Sequence, residues 1–247
     1  MGQVIAVVSG KGGTGKTSFT ANVGMALAQM GHPTLCLDCD VGLRNLDIVL
    51  AMTDRAVMDF TDVMTERCTL DEAAVRHPLQ KNLYLLTAPA QVSPLDIDQE
   101  AFKAIFPEIR EKFDYCLVDA PAGLGVGFRL ALAGADRAVV VTTTEESSLR
   151  DAQRTVMELS AMPTGRLHLI VNRCRKKLLR SLRQNIDDAI DKAGLPLLGV
   201  IPEDETMPLY TGRGTPLLMT TNDCAARAYR NIARRINGQR VRLMKIH

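Results

Sequence analysis

The run Gly10-Lys11-Gly12-Gly13-Thr14-Gly15-Lys16-Thr17-Ser18-Phe19 constrains this chain more than any other feature. It follows an apolar stretch, Val4 to Val8, and precedes a helical pattern from Ala21 to Gln29. In that strand–loop–helix setting G-x-x-x-x-G-K-[ST] reads as a phosphate-binding loop. Glycines let consecutive backbone N–H groups converge on phosphate oxygens, and the following helix adds the positive end of its dipole. Gly12, Gly13, Thr14, Gly15, Lys16, Thr17 and Ser18 then form the cradle. Lys16 is expected to reach the β- and γ-phosphates, and the Thr17 hydroxyl to bind Mg²⁺. The chain is predicted to bind a nucleoside triphosphate.

Near-continuous apolar runs at 3–8, 34–38, 83–86, 115–118, 137–142, 167–171 and 197–201 read as strands buried on both faces. Helical patterns lie between them near 16–30, 99–112, 125–134, 146–160, 178–193 and 222–236. This rhythm predicts an α/β P-loop NTPase fold, a mostly parallel sheet with helices on both faces, with ligands at the carboxyl ends of the strands. With 247 residues, 46% hydrophobic and 23% charged, the chain can bury one large core. No apolar stretch reaches 18 residues, and residues 1–9 lead straight into the P-loop strand. Neither a membrane span nor a signal peptide is expected, which points to the cytoplasm. The net charge of +2 selects no partner by itself. Of the six cysteines only Cys36 and Cys39 are spaced as C-x-x-C, and no second pair follows, so reduced thiols are expected rather than a zinc site.

Three strand ends carry further polar groups. Asp38 and Asp40 close the second strand and Asp119 closes Tyr115-Cys116-Leu117-Val118. Such carboxylates can orient a water or hold a metal, since phosphoryl transfer needs positioning and charge neutralisation; they can also simply cap turns. Asn172 offers a donor and an acceptor, which suits the N6/N7 edge of adenine, although a plain loop asparagine stays open. The guanine signature N-K-x-D is absent, favouring ATP over GTP.

Lys11 makes the loop K-G-G-T-G-K-T, which resembles the deviant Walker A of the MinD/ParA-type ATPases. Gly42-Leu43-Arg44-Asn45-Leu46-Asp47 is similar to the G-L-R-N-L-D of the MinD branch, and Asp119-Ala120-Pro121-Ala122-Gly123 to its D-x-P-A-G. The resemblance spans residues 3 to about 236. It implies an ATP-dependent homodimer in which Lys11 reaches the partner's nucleotide, with Lys11, Lys16 and Asp40 as catalytic residues. It further implies Mg²⁺ held near Thr17, Asp38 and Asp119, Gly123 near the γ-phosphate, and adenine contacts from Asn172 and from the Ile201-Pro202-Glu203-Asp204 loop through Pro202 and Asp204. Segment 144–151 resembles a family segment that lines the dimer interface and receives regulators, with Thr144 in place of the expected proline. The function so implied is septum positioning by a switch that recruits a division inhibitor and answers to an activator, both of the Min system.

The chain divides on this reading into an ATPase domain, 1–237, and a basic-apolar tail, 238–247. After Asp223 no acid remains, while Arg227, Arg230, Arg234, Arg235, Arg240, Arg242 and Lys245 accumulate among Val241, Leu243, Met244 and Ile246. Each basic residue near an anionic bilayer contributes about 1 kcal/mol, so three tail cations supply roughly 3. Two tails on one dimer would bind far better. Reversible association with the inner face of the cell membrane is therefore expected, with a solvated or nucleic-acid-facing tail as the alternative. The runner-up function is a DNA-partitioning ATPase using Arg173, Arg175, Lys176, Lys177, Arg180 and Arg183. An iron–sulfur scaffold is disfavoured because Cys224 stands alone near the C-terminus.

Overall fold

The computed structural model describes residues 1–175, 179–204, 217–222 and 224–243, with the side chains of 179–185 left out. Asp223, Lys176, Lys177, the side chains of Arg180 and Arg183, and Met244, Lys245 and Ile246 of the tail thus lie outside the described residues.

Eight strands form one sheet: β1 (Gln3–Val8), β2 (Thr34–Asp38), β3 (Val75–Arg76), β4 (Leu83–Leu86), β5 (Tyr115–Asp119), β6 (Arg137–Thr142), β7 (Leu167–Cys174) and β8 (Leu197–Pro202). Their order is β3-β4-β2-β5-β1-β6-β7-β8, parallel throughout except for the antiparallel β3–β4 pair at one edge. β1 lies between β5 and β6, so the loop leaving its carboxyl end sits at the middle of the sheet. The central strands are apolar on both faces over most of their length because each serves two cores, and their polar residues fall mainly at the strand ends. Val4, Ala6 and Val8 of β1 join Leu35, Leu37, Cys116 and Val118 on one face. Ile5 and Val7 join Cys36, Leu117 and Val139 on the other.

Helices Lys16–Gln29 and Cys224–Ile236 cover the second face through Phe19, Val23, Leu27, Tyr229 and Ile232. Helices Phe106–Lys112, Val126–Leu132, Glu146–Glu158 and Leu179–Ala193 contribute to the first. The expected helix 99–112 is broken into Gln99–Ala104 and Phe106–Lys112. Pro107 explains the break, since it lacks the N–H that would continue the ladder and its ring crowds the preceding turn. The edge strand β3 and the short helices Leu46–Val49, Phe60–Met64 and Leu70–Ala73 are additions to the sequence-based expectation.

The last helix ends at Ile236. Gly238 takes φ 77, Gly238 N–H donates to the Arg235 carbonyl at 3.0 Å and Gln239 N–H to that of Arg234 at 2.9 Å. This is a left-handed C-terminal turn that glycine permits. Residues 239–243 leave it without helical structure. The Arg235 guanidinium donates through Nε and Nη2 to the Val241 carbonyl, at 3.0 and 2.9 Å, and through Nη1 to that of Leu198. The start of the tail is thereby fastened near the amino end of β8, away from the P-loop.

Candidate active site

Gly13 and Gly15 take φ 77 and 93, left-handed values that turn the loop back on itself before the helix Lys16–Gln29 begins. A Cβ on Gly13 would meet nothing within 4 Å, so it is the left-handed backbone rather than crowding that calls for glycine there. The Thr14 hydroxyl is buried and has no hydrogen-bond partner among the described residues. Open N–H groups, an orphaned hydroxyl and a helix N-terminus together fit a polyphosphate.

Lys16 is buried, and its Nζ donates to Ser9 Oγ at 2.9 Å. Burial lowers its pKa, while the charges of Asp119 and Asp40 oppose that shift. Ser9 Oγ in turn donates to the Lys11 carbonyl at 2.7 Å, and the Ser9 carbonyl accepts from Gly123 N–H at 3.3 Å. The serine thus ties the start of the P-loop to the Gly123 loop. The motif reading did not include Ser9, whose only signal is its place at the strand-to-loop junction.

Asp38 and Asp119 are directly paired in the β2–β5 register, both buried. Burial pushes Asp119 up to about 7, helped by the charge of Asp38 and opposed by hydrogen bonds from Thr17 and Thr20 and by Lys16. Thr20 Oγ1 donates to Asp119 Oδ1 at 3.2 Å, a contact absent from the sequence reading. Asp38 rises to about 6, again mainly from burial, although it accepts from Asp40 N–H at 2.8 Å and Leu46 N–H at 3.2 Å. The Asp38 carboxylate therefore shapes the turn carrying Asp40 as well as standing beside Asp119. Asp40 is half-buried, with its pKa raised by burial and held down by Lys16. Two adjacent buried carboxylates with one nearby lysine suit a divalent cation. No group of three or more His, Cys, Asp or Glu side chains forms a ready-made metal cage among the described residues. The paired carboxylates are the donor set Mg²⁺ typically takes, one or two carboxylates with the rest of its shell made by phosphates and water. Thr17 and Ser18, partly buried, open the helix beside this cluster.

Lys11 stands apart. Its Nζ donates to Ser147 Oγ at 3.0 Å and lies 3.7 Å from Glu145 Oε2, with nearly half of its side chain exposed. With Gly12, Gly13, Thr14, Thr143 and Arg173 it lines a cavity of about 350 Å³. Despite Thr144 the 144–151 segment still starts a helix at Glu146, although Glu145 makes no side-chain cap.

Asn172 is buried beneath the loop. Its Nδ2 donates to the Thr14 carbonyl at 2.8 Å, and its Oδ1 accepts from Arg173 N–H at 2.9 Å. Pro202 ends β8, and Asp204 and Arg173 lie within electrostatic reach of the buried Tyr229 hydroxyl. Arg175 Nε and Glu203 Oε2, 2.7 Å apart, bridge the loops leaving β7 and β8. The cysteines are all free, with Cys36, Cys39, Cys116 and Cys174 buried and their pKa values raised by that burial.

An AAA-domain family model matches residues 2–164. The septum site-determining protein MinD of Synechocystis is 41% identical over 241 residues, 97% of this chain and 91% of that protein. The solved MinC:MinD cell division protein complex of Aquifex aeolicus contains a chain 37% identical, covering 98% of each chain with a TM-score of 0.89. MinD of Pyrococcus horikoshii, solved with Mg-ADP, is 30% identical over 96% of each chain, with a TM-score of 0.81. The chain belongs to the MinD family of septum site-determining P-loop ATPases.

Proposed function

We propose that this chain is a nucleotide switch: Mg·ATP brings two copies together and onto an anionic membrane, and hydrolysis separates them. The P-loop N–H groups and the helix that begins at Lys16 hold the phosphates. Lys16 exchanges Ser9 Oγ for phosphate oxygens, gaining a charge-assisted partner for a hydrogen bond to a neutral hydroxyl. Thr17, Asp38 and Asp119 would hold Mg²⁺, which when bound neutralises charge on the β- and γ-phosphates. Asp40 orients a water toward the γ-phosphorus; as its oxygen bonds there, the bond to the β–γ bridging oxygen breaks, and ADP and phosphate leave. Gly123 N–H can turn from the Ser9 carbonyl toward the γ-phosphate. Asn172, Pro202 and Asp204 border the adenine.

The observation carrying the dimer reading is the direction of Lys11. It is held by Ser147 and Glu145 with nearly half of its side chain exposed. An exposed pair of this kind contributes little, so the lysine can exchange it for a partner's phosphates. The relative solved with MinC supports recruitment of a division inhibitor of that kind. Among the described residues no helix is long and apolar enough to cross a membrane, so the association proposed is peripheral and made by the tail.

Co-sedimentation with anionic liposomes tests this, comparing Mg·ATP with Mg·ADP and the full chain with one ending at Asn237. Pelleting only with ATP, lost on truncation, is expected. Equal pelleting with both nucleotides would contradict the switch. Salt-sensitive, ATP-dependent DNA binding without pelleting would favour the partition reading.

A further inference from the structure

We propose that Asn172 is a positioning residue that couples the base end of the nucleotide site to its phosphate end, its amide bracing the P-loop from beneath through the Thr14 carbonyl. This rests on the nucleotide reading of the P-loop but not on dimerisation or membrane binding. Asn172 follows Ile170 by two residues on β7, and Ile170 belongs to the core on the side of the helix Lys16–Gln29. Strand alternation therefore directs both toward that side. The ladder between β7 and β8 then shifts register between Val171 and Cys174, and Arg173 takes φ 54, a left-handed value unusual for arginine. An irregularity of this kind re-aims a neighbouring side chain. Arg173 N–H turns back onto Asn172 Oδ1 at 2.9 Å, and this fixes the amide with Nδ2 toward the Thr14 carbonyl at 2.8 Å.

The fit leaves no slack. A Cβ on Gly15 would lie 2.3 Å from Asn172 Nδ2, so the loop and the amide are in direct contact across two sequence-distant elements. A carboxamide has two N–H donors and an oxygen that accepts twice. One donor and one acceptor site are used inside the protein, leaving one of each for the base. A base held by this amide thus stiffens the carbonyl at the turn of the phosphate cradle, and a polyphosphate in the cradle orders the amide for the base.

Inorganic tripolyphosphate separates this coupling from simple base recognition, because it fills the cradle without a base. Binding of ATP and of tripolyphosphate would be measured by calorimetry for the unaltered chain, Asn172→Ala and Asn172→Asp, with amide hydrogen exchange at residues 13–17. Coupling predicts that Asn172→Ala weakens tripolyphosphate about 10-fold, the scale of one hydrogen bond, and ATP by more, because the base contact is lost as well. Asn172→Asp should weaken tripolyphosphate further, by setting an oxygen against the Thr14 carbonyl. Exchange at 13–17 should quicken in both variants while the β1 amides stay protected. A loss confined to ATP would overturn the coupling and leave a base contact alone. Unchanged affinity for both ligands, or reduced stoichiometry with unchanged affinity, would also overturn it. An unaltered chain that binds neither ligand would instead remove the nucleotide reading, and this proposal with it.

Discussion

At the scale of single residues the site is governed by buried charge. Asp38 and Asp119 are carboxylates whose pKa values in the folded chain lie near 6 and 7, above their ordinary range. A raised value means that the folded state binds protons more tightly than the unfolded state, so this contribution to stability is present below about pH 4 and is lost as pH rises to about 7. We expect Asp119→Asn to flatten the slope between pH 4 and 7 and to stabilise the nucleotide-free chain at neutral pH, while abolishing hydrolysis. Urea unfolding across that range checks this; equal slopes in the two proteins would contradict it. Ser9→Ala removes the Lys16 acceptor, and leaving that donor buried should destabilise the nucleotide-free chain by about 1–3 kcal/mol. Added ATP should shrink the deficit in thermal unfolding, because phosphate replaces the lost hydroxyl. The residues of the P-loop motif were legible because their chemistry is local to one turn. Ser9 and Thr20 sit beside the motif but outside its pattern, and although segment 144–151 was marked by resemblance, only the fold brings its Glu145 and Ser147 onto Lys11.

At the scale of elements, His77 illustrates how the edge of the sheet is secured. Its Nε2 donates to the Leu50 carbonyl at 3.0 Å, and its Nδ1 accepts from Leu79 and Gln80 N–H, each at 3.1 Å. The ring ties the β3–β4 connection to the end of the helix Leu46–Val49. His77→Phe should therefore cost about 3 kcal/mol, roughly one for each bond, measurable by chemical denaturation. The tail has a comparable fastening in Arg235. Arg235→Ala should speed tryptic cleavage after Arg240 and Arg242, with nucleotide affinity unchanged; an unaltered cleavage rate would show that the guanidinium does not hold the tail. The strands were legible because double-sided burial writes itself as near-continuous apolar runs. Residues 39–82 were not, since their short helices show no sustained period. Even so, Thr69-Leu70-Asp71-Glu72 carries a capping box that the structure realises, with Glu72 accepting from Thr69 N–H at 2.8 Å.

At the scale of the whole molecule, a parallel sheet was predictable from alternation, whereas its order was not, because crossover choices are set by packing that involves every element. Placing β1 between β5 and β6 gathers Lys16, Asp38, Asp40 and Asp119 at one end, while the fastening of the tail to Leu198 lies toward the other. On the proposed reading, a membrane-binding tail would start from the end of the strands opposite the nucleotide. The central claim is that Lys11 serves the site of the other subunit, and mixing two inactive variants tests it most directly. Lys11→Ala and Asp40→Ala should each fail to hydrolyse ATP alone. In an equal mixture, random assortment into symmetric dimers leaves about a quarter of the sites with an intact Asp40 and a partner's intact Lys11. The account predicts that steady-state hydrolysis reappears on mixing, to about that fraction of the unaltered rate. Activity in Lys11→Ala alone, or none in the mixture when the two variants demonstrably pair, would contradict it.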